Sequence, residues 1–334
     1  MNKTIIASVI ATMSIVGTGV SQACTTAAYH NGDTSISART MDWAGNDEAI
    51  VVGTGAGMLN SYSDNDGLQT TSKYAALKIE SFNPGIVAEA MNEQGLEVHL
   101  LYLGISAGTE FQADTADFQN VDATNVPRFL VDNFANVDEA IAGLKGVDVI
   151  GTEVYNLEGH EGESIKPPVH FQINDKHGNS AVVEYIAGEM KIYQVDGAAY
   201  MSNDPTFDYH LTQDAEKVEA NSSIRATDRR LRAKAQVQDM YTRNVQGEQA
   251  AIAIKAVGAT AFSGTDRMDP YVGDGTAVFP TLWTNYTDRN AGTWKLDRHD
   301  TWAVEEYSMA DFDTQKAERV VLGAHPSYRG TATN

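Results

Sequence analysis

The stretch SQACTTAAY, residues 21–29, is the one around which the chain is organised. It holds Cys24, the only cysteine among 334 residues. The residues before it are typical of a secretory signal. Lys3 supplies a positive start, Thr4–Val20 a mostly apolar segment, and Ser21-Gln22-Ala23 a cleavage site with small residues at its first and third positions. We therefore predict a signal peptide over residues 1–23 and a periplasmic or secreted protein.

Cleavage after Ala23 would give Cys24 a free α-amino group, which changes its chemistry. An α-amine has a pKa of ~7.7–8.0, so part of it is neutral at pH 7 and can accept the thiol proton. In the precursor the same nitrogen is an amide and cannot act as a base. The pattern therefore predicts an N-terminal nucleophile that cleavage activates.

Two other interpretations of Cys24 remain open. A bacterial lipoprotein also carries a Cys directly after its cleaved signal. That signal usually has Leu three positions before the Cys and a small residue two before, where this chain has Ser21 and Gln22. Alternatively, Cys24 is a small buried residue without chemistry. An odd cysteine in an exported protein is a candidate reactive thiol, and its place at the cleavage site favours catalysis.

Composition excludes several classes of partner. The chain has 45 acidic against 24 basic residues, a net charge of −21. Such a surface disfavours nucleic acid, whose binding requires Lys and Arg to neutralise phosphates, and also anionic membranes. After residue 23 no stretch is long and apolar enough for a transmembrane helix, so we expect no membrane anchor. The histidines are scattered, and His160-Glu161 lacks the second His of a zinc motif. We expect neither a metal nor a cofactor.

Strand-like and helical patterns alternate along the chain. A hairpin with an Asn31-Gly32 turn is predicted over residues 24–43. Further strands are predicted at 49–53, 74–82, 95–103, 169–173, 181–186, 190–195, 281–287, 293–296 and 304–307, and helices near 126–134, 137–144, 224–243 and 247–257. Residues 151–168 are glycine-rich and acidic, which predicts a surface loop. This order favours an α+β layered sandwich over a βαβ repeat, and we expect one domain over residues 24–334.

Arg39 and Asp42 lie on the predicted strand next to Cys24. Three residues apart, they point to opposite faces of a regular strand, so we expect a bend or bulge near Met41 if both face Cys24. Arg39 could then stabilise a thiolate, and Asp42 could accept from the α-ammonium. Spacing alone favours an ordinary surface pair.

Five motifs follow one another over nearly the whole chain after residue 23. They are CTTAAY with ARTMDW (24–29 and 38–43), NEQGL (92–96) running to Leu101-Tyr102, MSNDPTF (201–207), DRRLRA (228–233), and TLWT (281–284) followed by Asp288. Together they resemble the choloylglycine hydrolase family, which includes conjugated bile salt hydrolases and penicillin V acylases.

The resemblance implies the four-layer αββα sandwich of N-terminal nucleophile hydrolases, in which Cys24 attacks an acyl amide. Arg39 and Asp42 would flank the nucleophile, with Asp42 holding the α-amine. The oxyanion would be stabilised by the side-chain amide of Asn203 and by Tyr102, which would donate hydrogen bonds that include one from its backbone N–H.

The resemblance also bears on the charge network and the substrate. Arg229 would complete the charges around Cys24. Tyr102, where bile salt hydrolases have Asn, favours the penicillin V acylases, and Trp43 would add an aromatic wall suited to a phenoxyacetyl or fatty acyl group. With the export signal, these features resemble the Gram-negative branch, whose members take penicillin V and N-acyl homoserine lactones. A conjugated bile salt hydrolase is the alternative.

Departures from the family pattern leave two further alternatives. Asp204 stands where a second Asn is common, and Arg230 replaces an apolar residue, so a member that binds without cutting stays open. A lipid-anchored binding protein with an acylated Cys24 is the rival from another class. A segment that supports subunit assembly in many members is short here, between Asn203 and Arg229. We expect a homo-oligomer, a tetramer or a dimer.

Overall fold

The computed structural model describes residues 24–328 except 44, 64–66, 83–84, 105–106, 116, 156, 158–161, 198 and 262–278. The predicted signal peptide and the His160-Glu161 pair lie outside the described residues.

The first large sheet carries the predicted hairpin. Its strands are β1 (Thr25–Asn31), β2 (Thr34–Asp42), β16 (Tyr200–Ser202), β17 (Thr281–Asp288), β18 (Thr293–Arg298) and β19 (Ala303–Ser308). They run in the order β16-β1-β2-β17-β18-β19, and all neighbours are antiparallel. The turn contains Gly32 at φ +59°, a conformation that glycine adopts without steric cost. The hairpin prediction is confirmed.

The second large sheet has eight strands. They are β3 (Ile50–Thr54), β6 (Ala76–Ser81), β7 (Ile86–Asn92), β8 (Glu97–Tyr102), β13 (Val169–Asn174), β14 (Asn179–Ile186), β15 (Glu189–Asp196) and β20 (Arg319–Ala324). Their order is β15-β14-β13-β8-β7-β6-β3-β20. The predicted meander at 169–195 is confirmed, whereas β7 and β20 are additions to the predicted set.

Short strands form three two-stranded ribbons beside the large sheets. These are β4 (Leu59–Ser61) with β5 (Gln69–Thr71), β9 (Asn120–Asp122) with β10 (Asp148–Ile150), and β11 (Val154–Tyr155) with β12 (Ser164–Ile165). The surface loop predicted over 151–168 is confirmed for most of the described residues of this segment, which are exposed or partly exposed, but the prediction missed the last ribbon. Its segment includes the buried Leu157, which lines a cavity beside Cys24 together with Ile165 and Pro167. The glycine and acidic content hid this burial because the apolar residues of the segment are few.

Five α-helices of the described part of the chain complete the layers. α1 (Val126–Asn133) and α2 (Val137–Leu144) contact the eight-stranded sheet, while α4 (Ala226–Thr242) and α5 (Gly247–Ala261) contact β1 and β2. α3 (Phe207–Ala215) follows β16. Asn136 caps α2, because its side chain accepts a hydrogen bond from the Glu139 N–H at 2.9 Å. Among the described residues, no helix has both the length and the apolar character of a membrane span.

Three apolar cores separate the four layers. One joins α1 and α2 to the large sheet, one lies between the two sheets, and one joins α4 and α5 to the six-stranded sheet. Each large apolar side chain fully buried there stabilises the fold by about 1.5–3 kcal/mol. The protein is therefore an α+β αββα sandwich, as expected, and Cys24 belongs to the core between its sheets.

Candidate active site

Cys24 immediately precedes β1, and the sheet register sets its neighbours. Thr25 pairs with Thr40 on one side and with Ser202 on the other, so one step further Cys24 lies between Met41 and Asn203. Its Sγ is 3.8 Å from the Met41 Sδ, and its carbonyl accepts a hydrogen bond from the Ser202 hydroxyl at 2.9 Å. The sheet thus fixes a thiol that is only 3% exposed.

Arg39 points into the space between the sheets, on the same face as the thiol. Its Nη2 is 3.9 Å from the Cys24 Sγ and donates to the Leu100 carbonyl at 3.3 Å. The guanidinium also lies over the Trp283 ring, 4.4 Å from the centroid. The expected surface ion pair on β2 is therefore wrong for Arg39, which is 1% exposed.

Asp42 lies on the other face of β2, the face that α4 covers. Arg229 Nη1 donates to its Oδ2 at 3.1 Å, and the hydroxyls of Thr281 and Thr40 donate as well. The expected bend that turns both side chains towards Cys24 is wrong. The register shift lies on β17, between Thr281 and Trp283 opposite Met41 and Asp42. Arg39 and Asp42 need not share a face of β2 to lie near Cys24. Cys24 lies at the end of its strand, and its thiol is on the same face as Arg39.

Arg229 ties the ends of β1 and β2 together from the first turn of α4. Its Nη1 also donates to the Thr25 hydroxyl at 2.9 Å, and its Nε donates to the Ile224 carbonyl at 2.8 Å. The guanidinium is 1% exposed. Burial raises the pKa of Asp42 to about 7, and Arg229 is the strongest opposing influence. A further cation beside Asp42 would keep it ionised.

The thiol itself is stabilised in its neutral form. Burial raises the pKa of Cys24 above its ordinary value, and the charge of Arg39 is the largest influence in the opposite direction. A base is therefore required to generate the thiolate near neutral pH.

Asn203 and Tyr102 meet beside Cys24 although 101 residues separate them. The Asn203 Nδ2 donates to the Tyr102 carbonyl at 2.8 Å, which leaves its second amide hydrogen for another acceptor. The Leu103 N–H donates to the carbonyl of Pro168, just before β13, so by alternation the Tyr102 N–H points to the opposite edge of β8. The β7–β8 pairing ends at Glu89 and His99, so this N–H faces a gap.

Asp204 and Arg230, the departures from the family pattern, have local partners. Asp204 accepts a hydrogen bond from the Gly104 N–H and so anchors the loop after β8. Arg230 forms a bidentate ion pair with Asp214 at 2.7 and 3.0 Å and lies over the Tyr200 ring. Both therefore stabilise the frame around the site, and neither argues against catalysis.

A small apolar pocket adjoins the thiol. Its volume is about 40 Å³. The predicted substrate-binding residues Trp43 and Tyr102 both line it, as do Cys24 and Arg39. Further lining residues are apolar: Met41, Phe82, Ile86, Ala88, Leu100, Leu157, Ile165, Pro167 and Val169. The pocket suits an apolar acyl group next to the nucleophile.

A buried chain of charges, which the sequence analysis missed, leads away from Arg39. Glu89 lies 3.9 Å from Arg39 and 3.6 Å from His99, which is 3.4 Å from Glu97. Arg289 donates to Glu97 at 2.7 Å. Burial by itself lowers the pKa of His99. The charges of Glu97 and Glu89 outweigh burial, so the pKa is raised to about 9. The sequence did contain a signal for these buried charges: ionisable residues stand within otherwise mostly apolar strands, in IVAEAMN and EVHLLY.

Three of these buried charged residues could also offer ligands to a metal ion. Candidate ligand atoms of Glu89, Glu97 and His99 lie within 4.8 Å of one another. Arg39 and Arg289 already provide cations to the two carboxylates, so the arrangement fits an ion-pair chain better than a metal site.

Comparison with known proteins relates the chain to hydrolases. Residues 24–237 match the family model described as linear amide C–N hydrolases, choloylglycine hydrolase family. The penicillin V acylase of Pectobacterium atrosepticum is 32% identical over 269 residues, which cover 73% of this chain and 67% of that protein.

Two solved structures share the fold. The penicillin V acylase from Agrobacterium tumefaciens superposes with a TM-score of 0.74 at 22% identity, covering 90% of this chain and 92% of that one. A mutant of the conjugated bile acid hydrolase from Clostridium perfringens gives a TM-score of 0.75 at 16% identity, covering 90% and 96%.

Proposed function

Because the chain belongs to the choloylglycine hydrolase family of linear amide C–N hydrolases, we propose that it is an acylase that acts on penicillin V, on N-acyl homoserine lactones, or on both. We further propose that export and loss of residues 1–23 create the active form in the periplasm or outside the cell. The observation that carries the proposal is the position of Cys24, at the end of β1 beside Arg39 and inside an apolar pocket.

The first step would form an acyl-enzyme. The α-amine of the cleaved Cys24 takes the thiol proton, and the thiolate attacks the amide carbonyl carbon to form a C–S bond. The resulting α-ammonium supplies the cation that keeps the buried Asp42 ionised. The oxyanion accepts hydrogen bonds from the free amide hydrogen of Asn203 and from the Tyr102 N–H.

The second half of the reaction would reverse these proton transfers. As the C–N bond breaks, the α-ammonium returns its proton to the leaving amine. The neutral α-amine then takes a proton from water while the oxygen attacks the thioester carbonyl. The C–S bond breaks, the carboxylic acid leaves, and the thiolate regains its proton.

The pocket lining suits an aromatic or alkyl acyl group. Trp43 and Phe82 form an aromatic pair with ring centroids 4.5 Å apart, which suits a phenoxyacetyl ring or an alkyl chain. The match to the penicillin V acylase of P. atrosepticum supports the acylase over a bile salt hydrolase.

The direct test is release of the free amine from penicillin V, from an N-acyl homoserine lactone and from a glycine-conjugated bile acid by the exported protein. We expect turnover of one or both of the first two and little of the third. A Cys24→Ser variant should lose nearly all turnover, and full retention would remove Cys24 as the nucleophile. The predicted homo-oligomer stays a prediction, which light scattering would check.

A further inference from the structure

A second cavity adjoins the pocket at Cys24. It has a volume of about 610 Å³, against about 40 Å³ for the pocket that holds the thiol. Phe82 and Ile86 line both spaces. These two side chains therefore form the wall between them.

The size of the inner pocket requires that this wall moves. A volume of about 40 Å³ is far below the ~300–1,000 Å³ of pockets for small molecules. An acyl group can enter only if a lining side chain gives way. If the wall moves, the inner pocket opens into the adjacent cavity.

Phe82 is the member of the wall that lies outside the strands. It follows β6 and has a φ of +59°, a left-handed conformation that is strained for a bulky residue. Ile86, by contrast, lies in β7 and pairs with Ser81. The Phe82 ring packs on Trp43, so its displacement would join the two cavities beside the proposed acyl-binding surface.

The outer cavity is polar, unlike the inner pocket. Arg319 lies 2.8 Å and Arg128 3.9 Å from the carboxylate of Glu80. Both guanidinium groups are about a quarter exposed, and one carboxylate leaves part of their donor capacity unused. Thr152 and Asn125 add further polar groups. The cavity therefore fits the far end of a chain that carries an oxygen acceptor.

We propose that the outer cavity is a distal acyl subsite and that Phe82 determines access to it, so that N-acyl groups too long for the inner pocket pass Phe82 and place a polar far end among Arg128, Arg319 and Thr152. This inference rests on the proposed function, because it assumes that the inner pocket holds the acyl group next to Cys24.

Binding to the Cys24→Ala protein tests the subsite without turnover. Calorimetry would compare a long probe, an ω-hydroxydecanoyl amide, with a short one, a butanoyl amide of the same amine. We expect Phe82→Ala to raise the long-to-short ratio of binding constants by about tenfold, within the range by which pocket contacts discriminate acyl groups. Ser61→Trp, which places a bulky ring in the outer cavity from the exposed strand β4, should lower the ratio by about as much.

Leu59→Trp is the matched control. Leu59 is on the same strand, is 72% exposed and does not line the cavity, so the ratio should stay as in the parent. Unchanged ratios in both Phe82→Ala and Ser61→Trp, or no binding of either probe, would overturn the subsite. If Phe82→Ala fails to fold, Ser61→Trp alone decides. The proposed function fails separately, if the protein with an intact Cys24 binds these amides but releases no amine.

Discussion

Removal of the Arg39 charge should make the Cys24 thiol markedly harder to ionise. The Arg39 Nη2 lies 3.9 Å from the Cys24 Sγ. At that separation, and with an effective dielectric constant of about 20, a unit positive charge stabilises a thiolate by about 4 kcal/mol. Each 1.36 kcal/mol corresponds to one pH unit, so Arg39→Met should raise the pKa of Cys24 by about 3. Glu89, 3.9 Å from Arg39, offsets part of this field, so the observed rise should be somewhat smaller.

The assay is the rate of alkylation of Cys24 by iodoacetamide as a function of pH. Only the thiolate reacts, and the chain has one cysteine, so the midpoint reports the pKa of this thiol. The measurement uses the chain that starts at Cys24. The same preparation gives kcat/KM, whose acidic limb should move in the same direction.

Two variants separate the charge effect from damage to the fold. Arg39→Met removes one of the two cations beside Glu89 and leaves only His99, so Arg39→Met with Glu89→Gln removes both charges of the pair and should preserve folding better. Arg298→Met is the matched control. Arg298 is equally buried, on the same sheet, and pairs with Glu305 at 2.9 Å. A midpoint for Arg39→Met no higher than for Arg298→Met would refute the reasoning.

Three further predictions follow from the same contacts. Asp42→Asn should lower kcat by about 10²-fold or more with folding intact, because the α-amine loses its anchor, and near-normal turnover would remove that role. Asn203→Ala should lower kcat by about 10²–10³-fold with little change in KM, as for other oxyanion donors, and a pure KM effect would contradict it. Glu97 and Glu89 hold the pKa of buried His99 at about 9 despite desolvation, above its unfolded value of about 6.5. The stability that His99 contributes is thus complete below pH ~6.5 and lost as pH rises through about 9. His99→Gln should flatten the decline of Tm over that interval, and parallel Tm curves for the two proteins would refute it.

Local signals in the sequence predicted most of the fold. The Asn31-Gly32 turn and the Asn136 cap act within a few residues, so they could be read directly. β7 was missed because Ala88, Glu89 and Ala90 at its centre belong to residue types that are depleted in strands. The sequence analysis did not predict β20, because this edge strand is defined by its pairing with β3, far away in the chain.

The candidate site was predictable only where a motif carried it. Cys24, Asn203 and Tyr102 come together through the register of two sheets, which the motifs imply but spacing does not. The sequence could not predict the orientation of Arg39 and Asp42. Because Cys24 lies at a strand end, side chains from both faces of β2 can lie near it. Leu157, which lines the pocket at Cys24, belongs to an irregular segment, where no periodic pattern indicates burial.

The most direct test of the account is the intact mass and N-terminal sequence of the exported protein, before and after an acid-quenched reaction with penicillin V. We predict a chain that begins at an unmodified Cys24 and gains the mass of one phenoxyacetyl group at that residue. A lipid-modified or blocked Cys24, or a chain that begins elsewhere, would contradict the account, since the α-amine base would then be absent.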